Sequence, residues 1–400
     1  MRILLVNNFF YEVGGIERVF FAERELLQHH GHEVIDFSTQ DVRNHPSSQQ
    51  EFFVSSVDFQ TRGNFFKKAM RFFYSREVDR ALSKLIEATR PDVAHIHGTF
   101  DVLGPTVIRT LHRHGVRIIF TAHAYKLICP NWKLFAHGHV DEGCFDQPFH
   151  DAWNKSIQNS YIKSFGAAAA WWLHETVGTF AMIDRIISPS IFLIEKHVER
   201  GWLRSKFVHV PNPVDINKYL ITRGEGAYIL FVGRLVPEKG VDILIHAAVR
   251  FPEIPVKIIG DGPDAERLAR IVHDRGISNV SFLGRRSSAD VKEFMRGAFA
   301  VIIPSIWYEN DSLSVLEAQA MGKVVIASYI GGIPEQIRHG DTGLLFEAGN
   351  PEALAEMVLH VAALSPEERH VIGVRARGFV DAIRNPEFYY EALMDTLGAV

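Results

Sequence analysis

The sequence predicts an α/β protein built from two doubly wound domains, and three observations lead to that expectation. Short apolar runs alternate with helical patterns along all 400 residues, which favours parallel strands covered by helices on both faces. The alternation restarts after a polar, proline-containing stretch at 211–226, as expected at a junction between domains. The chain is also too long for one ordinary domain of about 150 residues. We therefore expect one domain over 1–213 and a second over 214–384.

The first half contains short apolar runs that we interpret as buried strands. The first run, 3–6, is followed by a helical pattern over 15–28 that ends close to Gly31. A glycine directly after a helical pattern is a common signal for the end of a helix. The remaining strands of this half are predicted at 34–35, 92–97, 116–121, 186–188 and 207–210.

The second half repeats this organisation. In open α/β sheets, ligands bind outside the carboxyl ends of the strands. Residues directly after each predicted strand are therefore the first candidates for a functional site. The predicted strands of this half are 228–232, 256–259, 280–283, 300–303 and 324–327, with helical patterns between them.

The composition excludes several classes of protein. Hydrophobic residues make up 47% of the chain, and the formal net charge is -4, which argues against a dedicated nucleic-acid binder because such a protein is clearly basic. Cys129 and Cys144 are too few for a disulfide framework or a cysteine-based zinc ribbon. No apolar run approaches the roughly 18 residues of a membrane span, and the N-terminus lacks the pattern of a signal peptide. We therefore expect a cytoplasmic protein.

Two glycines and three histidines are the candidate residues of the first half. Gly14 and Gly15 lie between the first strand and its helix, where adjacent glycines let backbone N–H groups approach a ligand. His123 follows a predicted strand, and a histidine there can donate a hydrogen bond to a sugar hydroxyl or a phosphate. His95 and His97 share one face of a strand, so a metal site is an alternative. A plain turn and ordinary core or surface histidines are the simpler interpretations.

Two cations follow the strand predicted at 228–232. Arg234 offers a planar guanidinium and Lys239 a compact ammonium, a pair suited to holding a diphosphate. Pro237 and Gly240 restrict the shape of the loop that carries them. An exposed basic loop without a ligand is the alternative, but the restricted shape favours a phosphate site.

Two carboxylates lie in the next candidate loop and its helix. Glu309 is in the loop and Glu317 in the second turn of the helical pattern. Asp311 or Ser312 is a natural N-cap, and Ser314 with Glu317 fits a capping box. The start of such a helix attracts an anion by about 0.3–1 kcal/mol. We expect both glutamates to reach one ligand, a sugar nucleotide, although a cap and a surface carboxylate are the alternatives.

Together these motifs resemble those of the group 1 (family 4) retaining glycosyltransferases of GT-B fold. Glu309 and Glu317 match the family's E-x7-E motif within YENDSLSVLEA. Gly233, Arg234 and Lys239 match its G-R-x4-K loop within VGRLVPEKG. The segments VPNPVD, IGDGP and GGIPEQI keep the family's order, and TAHAYKLICPNWKLF is similar to its acceptor-side histidine segment. The chain departs from the common E-G-F-G sequence, because Asn-Asp-Ser follows the first glutamate.

The resemblance implies a fold and a donor. The fold would be two Rossmann-like domains that face each other across a cleft, with an amphipathic C-terminal helix at about 385–400 crossing back to the first domain. The donor would be a nucleoside diphosphate sugar, UDP- or GDP-linked, held chiefly by the second domain. The family retains the anomeric configuration, and it needs no bound metal and no cofactor.

The resemblance also implies a role for each site residue. Arg234 and Lys239 would neutralise the charge that develops on the departing diphosphate. Glu309 would bind the transferred sugar and Glu317 the ribose hydroxyls. The expected catalytic residues are His123, Arg234, Lys239 and Glu309, and the expected donor-binding residues are Gly14, Gly15, Gly233, Arg234, Lys239, Glu309, Asn310, Asp311, Ser312, Leu313 and Glu317.

The acceptor is expected to be a glycan or a lipid-linked glycan of cell-surface polysaccharide synthesis. A basic and aromatic stretch at 62–84, with Trp171 and Trp172 as a second contact, is suited to an anionic membrane surface. The alternative is an amphipathic helix whose phenylalanines fill the core of the first domain. Peripheral association with the inner face of a membrane is therefore a hypothesis beside the cytoplasmic location.

Two other enzyme classes stay open on the sequence alone. One is a sugar-nucleotide epimerase of the same fold, which product analysis with a labelled donor distinguishes from a transferase. The other is a metal hydrolase that uses His95, His97 and His123, which full activity after exhaustive chelation would exclude.

Overall fold

The structure is a computed structural model, and it describes residues 1–56, 71–100, 102–147, 149–221, 223 and 225–398. The chain forms two compact units. The first contains Met1–Ala136, Asp141–Val210 and the residues from Tyr389 onward, and the second contains His137–Val140 and Pro211–Phe388. The unit boundary therefore falls at Val210, and the predicted domain limits at 213 and 384 stay a prediction.

The first 210 residues alternate strands and helices. Most strands are short and apolar, as expected of strands that are covered on both faces. The strands are β1 (Arg2–Val6), β2 (Glu33–Phe37), β3 (Thr39–Gln40), β4 (Val54–Ser55), β5 (Val93–Ile96), β6 (Arg117–Thr121), β7 (Phe135–Ala136), β8 (His139–Val140), β9 (Arg185–Ser188) and β10 (Phe207–His209). The helices are α1 (Gly15–His29), α2 (Arg76–Thr89), α3 (Thr106–Arg113), α4 (His150–Trp153), α5 (Tyr161–Thr176) and α6 (Ile191–Glu199).

The first unit is built on a six-stranded parallel sheet in the order β10-β9-β6-β5-β1-β2. Its core contains the fully buried side chains of Ile3, Leu5 and Leu27, packed with Leu393 and Leu397 from the C-terminal end of the chain. Each buried aliphatic side chain contributes about 1.5–3 kcal/mol to folding. Residues that are nearly 400 positions apart in sequence thus share one core.

The second unit repeats the architecture with a second six-stranded parallel sheet, in the order β13-β12-β11-β14-β15-β16. Its strands are β11 (Tyr228–Val232), β12 (Val256–Ile259), β13 (Val280–Gly284), β14 (Ala298–Ile303), β15 (Val324–Ser328) and β16 (Leu344–Phe346). Its helices are α7 (Val241–Ala248), α8 (Ala265–Asp274), α9 (Ser288–Gly297), α10 (Leu313–Ala320), α11 (Ile333–Gln336), α12 (Pro351–Ala363) and α13 (Pro366–Arg384), and α14 (Pro386–Gly398) then leads into the first unit.

Both sheets reverse their strand order at one point. In the first unit the chain moves from β1 to β2 on one side and then returns to β5 on the other. In the second unit it moves from β11 through β12 and β13 and then returns to β14. The loops on the two sides of such a reversal diverge at the carboxyl ends of the strands and leave a crevice for a ligand. The loops after β1, β5, β11 and β14 are therefore the positions where a site is expected.

The predicted fold class is confirmed, since both units are doubly wound α/β sheets and α14 packs into the core of the first unit. The strand β16 was not predicted, because its three residues follow a turn-rich segment. Residues 62–70 of the predicted membrane-facing stretch lie outside the described residues. In the part of the chain that the structure describes, no helix combines the length and hydrophobicity needed to cross a bilayer.

Candidate functional site

The loop after β11 carries two of the predicted site cations. Arg234 is exposed and Lys239 is half-buried. Between them, Pro237 begins a single 3-10 turn that ends at Gly240. The guanidinium is therefore open to solvent, while the ammonium is held beside the neighbouring loop.

Gly240 allows the loop after β11 to touch the loop after β14. Its φ of 61° lies in the left-handed region, and a Cβ at this position would lie 2.0 Å from the carbonyl oxygen of Pro304. The backbone N–H of Ile306 also donates a hydrogen bond to the carbonyl oxygen of Glu238, at 3.0 Å. Only glycine permits this approach without strain, so the sequence itself fixes how the two loops meet.

Lys239 and Glu309 are in direct contact. The ammonium of Lys239 donates to Oε1 of Glu309 at 2.6 Å, and the hydroxyl of Ser305 donates to the same oxygen at 2.6 Å. Burial by itself raises the pKa of Glu309, but the charge and hydrogen bond of Lys239 outweigh it, so the pKa lies below its ordinary value. Glu309 is therefore a buried carboxylate that stays charged at neutral pH.

The backbone of Glu309 is in contact with Gly331 and Gly332, the glycine pair after β15. Gly331 has a φ of 60°, and a Cβ there would lie 2.4 Å from the carbonyl oxygen of Glu309. The N–H of Gly332 donates to that same carbonyl at 2.7 Å. The GGIPEQI segment therefore has a structural reason to contain two glycines at this point.

The helix α10 begins at Leu313 with Ser312 as its N-cap residue, but the cap is not the one predicted. The hydroxyl of Ser312 makes no capping bond, and the capping box of Ser314 with Glu317 is wrong because Ser314 already lies inside the helix. The side chain of Gln336 replaces the cap: its Oε1 accepts from the N–H of Ser312 at 3.0 Å, and its Nε2 donates to the carbonyl of Ser312 at 3.1 Å.

Asp311 is bound to the protein itself. Its Oδ2 accepts from the guanidinium of Arg384 at 2.7 Å and from the backbone N–H of Asn212 at 3.0 Å. Both charged side chains are almost completely buried. A buried ion pair of this kind fixes the geometry of the loop, and removing one partner leaves an uncompensated charge.

Glu317 lies one turn into α10 and is held by a residue that the sequence analysis did not single out. The hydroxyl of Tyr219 donates to Oε1 of Glu317 at 3.1 Å. The hydroxyl of Ser314 reaches the carbonyl oxygen of Val232, at the end of β11, at 3.4 Å. The start of α10 is thereby placed beside the loop that carries Arg234 and Lys239.

In the first unit, the Gly14–Gly15 turn is occupied by a carboxylate. The N–H of Gly14 donates to Oε2 of Glu17 at 2.9 Å, and the side-chain amide of Asn7 donates to the other oxygen at 3.3 Å. Burial raises the pKa of Glu17. Gly14 therefore already has an internal partner, and its predicted contact with a donor stays a prediction.

The histidines of the first unit form a cluster around a carboxylate that the sequence analysis missed. Glu23 from α1, His95 and His97 are completely buried, and one ligand-type atom of each lies within 4.8 Å of the others. Both ring nitrogens of His95 are hydrogen-bonded, to Glu23 at 2.6 Å and to the hydroxyl of Thr121 at 2.7 Å. Glu23, His95 and His97 thus form a hydrogen-bonded network. His123 joins this network through His97, because Nε2 of His123 lies 3.2 Å from Nδ1 of His97.

The histidine segment that follows β6 is closed by a disulfide. Cys129 and Cys144 are bonded, with their Cα atoms 5.9 Å apart, and both are buried. A backbone N–H from Asn131 and the side chain of Asp151 hydrogen-bond beside them at 2.9 Å. One bond is no framework, so the exclusion made from the cysteine count holds, but the pairing itself was not predicted.

Matches to two family models extend over almost the entire chain. The model for glycosyltransferase family 4 matches residues 13–218, and the model for glycosyl transferases group 1 matches residues 216–379. The first match alone covers more than half of the chain. The chain belongs to glycosyltransferase family 4. The resemblance inferred from the E-x7-E and G-R-x4-K motifs is thereby confirmed.

Curated relatives of this family 4 chain match part of it. An uncharacterized glycosyltransferase of Methanocaldococcus jannaschii is 33% identical over 196 residues, which cover 49% of this chain and 54% of the relative. A D-inositol 3-phosphate glycosyltransferase of Mycobacterium bovis is 34% identical over 155 residues, which cover 37% of this chain and 32% of the relative. The matched stretches therefore span about half and a third of these relatives.

Solved structures of low sequence identity share the fold of this family 4 chain. The Anabaena protein HepE, solved in complex with UDP and glucose, superposes with a TM-score of 0.71 at 17% identity and covers all of both chains. Sucrose-phosphate synthase from Thermosynechococcus elongatus superposes with a TM-score of 0.74 at 18% identity and covers 100% of this chain and 99% of its own. The GT-B fold is thus confirmed, and the epimerase and metal-hydrolase alternatives gain no support.

Proposed function

We propose that the protein is a retaining glycosyltransferase that moves a sugar from a nucleoside diphosphate sugar to a hydroxyl of a glycan or lipid-linked glycan. The observation that carries the proposal is the convergence of the loops after β11 and β14, where the ammonium of Lys239 lies 2.6 Å from the carboxylate of Glu309. These loops flank the strand-order reversal of the second unit, which is where an α/β sheet binds a nucleotide.

The charges suit a diphosphate leaving group. Arg234 is exposed, so its guanidinium is free of burial cost before the ligand binds, and the ammonium of Lys239 retains donors beyond the one used by Glu309. Preorganised cations of this kind stabilise the charge that develops as the sugar–phosphate bond breaks. Lys239 and Ser305 both donate to Oε1 of Glu309, and we assign Oε2 to a hydroxyl of the transferred sugar.

The proposed reaction retains the anomeric configuration. The bond between the anomeric carbon and the phosphate oxygen breaks, and its electron pair leaves with the diphosphate. The acceptor oxygen then bonds to the same face of the sugar, and its proton passes to the departing phosphate oxygen. No step needs a metal or a cofactor, because the protons and charges are carried by the substrates and by Arg234 and Lys239.

A UDP-linked or GDP-linked sugar is the proposed donor, and the UDP complex of the Anabaena protein supports the first. A thermal-shift screen of UDP-, GDP- and ADP-sugars tests this, because a ligand that binds only the native state raises its stability. We expect one nucleotide to raise the melting temperature of the wild type but not of Lys239→Ala. The absence of a shift with every nucleotide would contradict the proposal, and NMR analysis of the product anomer would test retention.

We also propose that the protein works at an anionic membrane surface, where a lipid-linked acceptor of cell-surface polysaccharide synthesis would be found. The large side chains on α4 and α5 support this, since Trp153, Tyr161, Ile162, Phe165 and Trp172 are between 46% and 73% exposed. The ammonium of Lys155 stacks on Tyr161 at 4.4 Å. Aromatic rings with adjacent cations are typical of a headgroup layer.

The second contact predicted at Trp171 is wrong, because that side chain is buried and its ring N–H donates to the carbonyl of Lys126. Co-sedimentation with vesicles tests the surface that remains. We expect more binding to anionic than to neutral vesicles, and a loss of that binding in Phe165→Ser with Trp172→Ser. Tyr329→Ser, which removes a 66% exposed aromatic ring from the second unit, is the control. Equal binding to both lipids would exclude the idea.

A further inference from the structure

Glu23 is a fully buried carboxylate in the middle of α1, with three polar neighbours from different parts of the first unit. Its Oε1 accepts from Nδ1 of His95 at 2.6 Å, and its Oε2 accepts from the hydroxyl of Tyr389 at 2.5 Å. The Nε2 atom of His97 lies 3.2 Å from Oε2. A carboxylate without solvent costs several kcal/mol unless such partners satisfy it. Both oxygens of the Glu23 carboxylate have polar partners, so the first unit stabilises a charge at this buried position.

The carboxylate is the charged member of this group. Burial by itself raises the pKa of Glu23, but His95 and His97 outweigh burial, and the pKa lies well below its ordinary range. Burial and the charge of Glu23 raise the pKa of Tyr389, so the phenol keeps its proton and donates a hydrogen bond to Glu23. Burial lowers the pKa of His97, so this ring is neutral and carries one proton.

The position of that one proton follows from electrostatics. The contact between Nε2 of His97 and the carboxylate is close, although its alignment falls short of a regular hydrogen bond. A nitrogen lone pair that faced a carboxylate at this distance would be repelled, so Nε2 bears the hydrogen. The Nδ1 atom of His97 is then an acceptor. Since Nε2 of His123 lies 3.2 Å from that Nδ1, it must be the donor.

We propose that Glu23 is a positioning residue that, acting through His97, holds His123 as its Nε2–H tautomer and makes Nδ1 of His123 a hydrogen-bond acceptor. The C-terminal helix α14 also helps to hold the Glu23 carboxylate, because Tyr389 belongs to this helix. His95 is bound to the same carboxylate, since its Nδ1 lies 2.6 Å from Glu23, and its Nε2 lies 2.7 Å from the hydroxyl of Thr121. The orientation of each ring is thus set by one buried charge.

The inference changes what His123 can recognise. A neutral ring whose Nε2–H is used internally offers only an acceptor, so it can bind a hydroxyl but not a phosphate oxygen, which is itself an acceptor. Burial and the neighbouring imidazoles lower the pKa of His123 well below its ordinary value, which keeps the acceptor nitrogen unprotonated. On the proposed function, on which this step rests, His123 therefore binds a hydroxyl of a sugar substrate.

The tautomer can be read directly by NMR of the full-length protein labelled with 15N-histidine, recorded near neutral pH without ligand. His123→Gln identifies the His123 signals by their disappearance. We expect the wild type to show Nε2 of His123 protonated and Nδ1 unprotonated. The opposite pattern, or a doubly protonated ring, would overturn the proposal without any variant of Glu23.

Variants then test the role of the charge. Glu23→Gln is expected to shift His123 to a mixture of tautomers, because the neutral amide no longer repels a lone pair on His97. Tyr389→Phe keeps the carboxylate and is expected to leave the Nε2–H tautomer in place. A folded Glu23→Gln protein, judged by its circular dichroism, with an unchanged His123 tautomer would show that the role of Glu23 is only structural.

A kinetic readout separates this inference from the proposed function. Once the donor screen has identified a nucleotide sugar, Glu23→Gln is expected to lower kcat at least tenfold while the nucleotide alone still raises the melting temperature as in the wild type. Failure of every donor to bind would contradict the proposed function and leave the NMR result standing. An unchanged kcat in a variant with a shifted tautomer would overturn the inferred contact with the sugar.

Discussion

Lys239 shares its ammonium between an internal carboxylate and the position proposed for the diphosphate. Its removal frees Glu309 of its main counter-charge and leaves the leaving group with Arg234 alone. We expect Lys239→Ala to reduce turnover at least tenfold, or about 1.4 kcal/mol of transition-state stabilisation, without unfolding the chain. Arg250→Ala, which removes an exposed cation elsewhere in the second unit, is the control. Wild-type kinetics in the folded variant would place the site elsewhere.

Glu317 is expected to behave in a similar way for a different reason. It is the proposed partner of the ribose hydroxyls, and Tyr219 holds it at 3.1 Å. Glu317→Ala should reduce turnover at least tenfold and weaken nucleotide binding in the thermal-shift assay, because bonds to a charged group are worth about 1.5–3 kcal/mol. Tyr219→Phe should have a smaller effect in the same direction. A Glu317→Ala protein that binds the nucleotide like the wild type would contradict the assignment.

His197 is expected to make the stability of the folded protein depend on pH. Burial lowers its pKa from 6.5 to about 4, so the folded protein binds this proton less readily than the unfolded chain. The stability from the neutral ring is therefore complete above about pH 6.5 and is lost as the pH falls towards 4. Its upper limit is about 3 kcal/mol.

Urea denaturation across this pH range measures the effect. His197→Phe keeps an aromatic ring at the place where His197 contacts Trp202 and Phe207, and it should flatten the decline in the urea midpoint between about pH 6.5 and 4. His360→Gln, an exposed histidine on α12, should leave the decline unchanged. Equal slopes in the wild type and in His197→Phe would show that other groups cause the acid sensitivity.

Local sequence was enough to predict some of the contacts around the candidate site and not others. Arg234, Lys239 and Glu309 lie in the loops after the neighbouring strands β11 and β14, and the carboxyl ends of parallel neighbours meet at one edge of a sheet. Arg384 could not be predicted as a partner of Asp311, since 73 positions separate them. Glu23 was missed for a related reason: within α1 it resembles any charged helix residue, and its partners His95, His97 and Tyr389 come from distant parts of the sequence.

At the scale of elements, the loop between β14 and α10 is held by partners outside itself. Gln336 caps the helix, and the pair of Asp311 with Arg384 fixes the loop that precedes it. The sequence predicted where the helix begins but assigned the cap to local side chains. The side-chain amide of Gln336, which is distant in sequence, bonds both the N–H and the carbonyl of Ser312 in place of the predicted local capping box.

The ion pair can be tested by coupling. Asp311→Ala leaves the guanidinium of Arg384 buried without its counter-charge, and we expect a loss of about 3–5 kcal/mol in the free energy of unfolding. The double variant Asp311→Ala with Arg384→Met should be less destabilised than Asp311→Ala alone. Urea denaturation measures both. A loss below about 1 kcal/mol in the single variant would show that the charge is relieved by other groups.

At the scale of the whole molecule, the C-terminal helix belongs to the core of the first unit. Leu393 on α14 is 0% exposed, whereas Phe388 on the same helix is 53% exposed. Leu393→Ala should destabilise the protein by about 2–5 kcal/mol, and Phe388→Ala should stay within about 0.5 kcal/mol. Calorimetry of both variants tests this, and similar melting temperatures would mean that α14 contributes little to that core.

The family assignment and the fold could be predicted at this scale because ordered motifs in both halves carry them. The return of α14 was predicted only through the resemblance. Its amphipathic face indicates that it is covered, but not by which sheet. The structure identifies the partner of this helix, because the buried phenol of Tyr389 on α14 donates a hydrogen bond to Glu23 on α1.

The discontinuity of the first unit has a consequence for biosynthesis. A ribosome completes the second unit when residue 388 has emerged, but β1 and α1, made hundreds of residues earlier, still lack the helix that covers them. Until then the apolar side chains of β1 and α1 that pack with α14 stay uncovered. A nascent chain stalled after Phe388 should accordingly protect the amides of β11 from hydrogen exchange while those of β1 exchange freely.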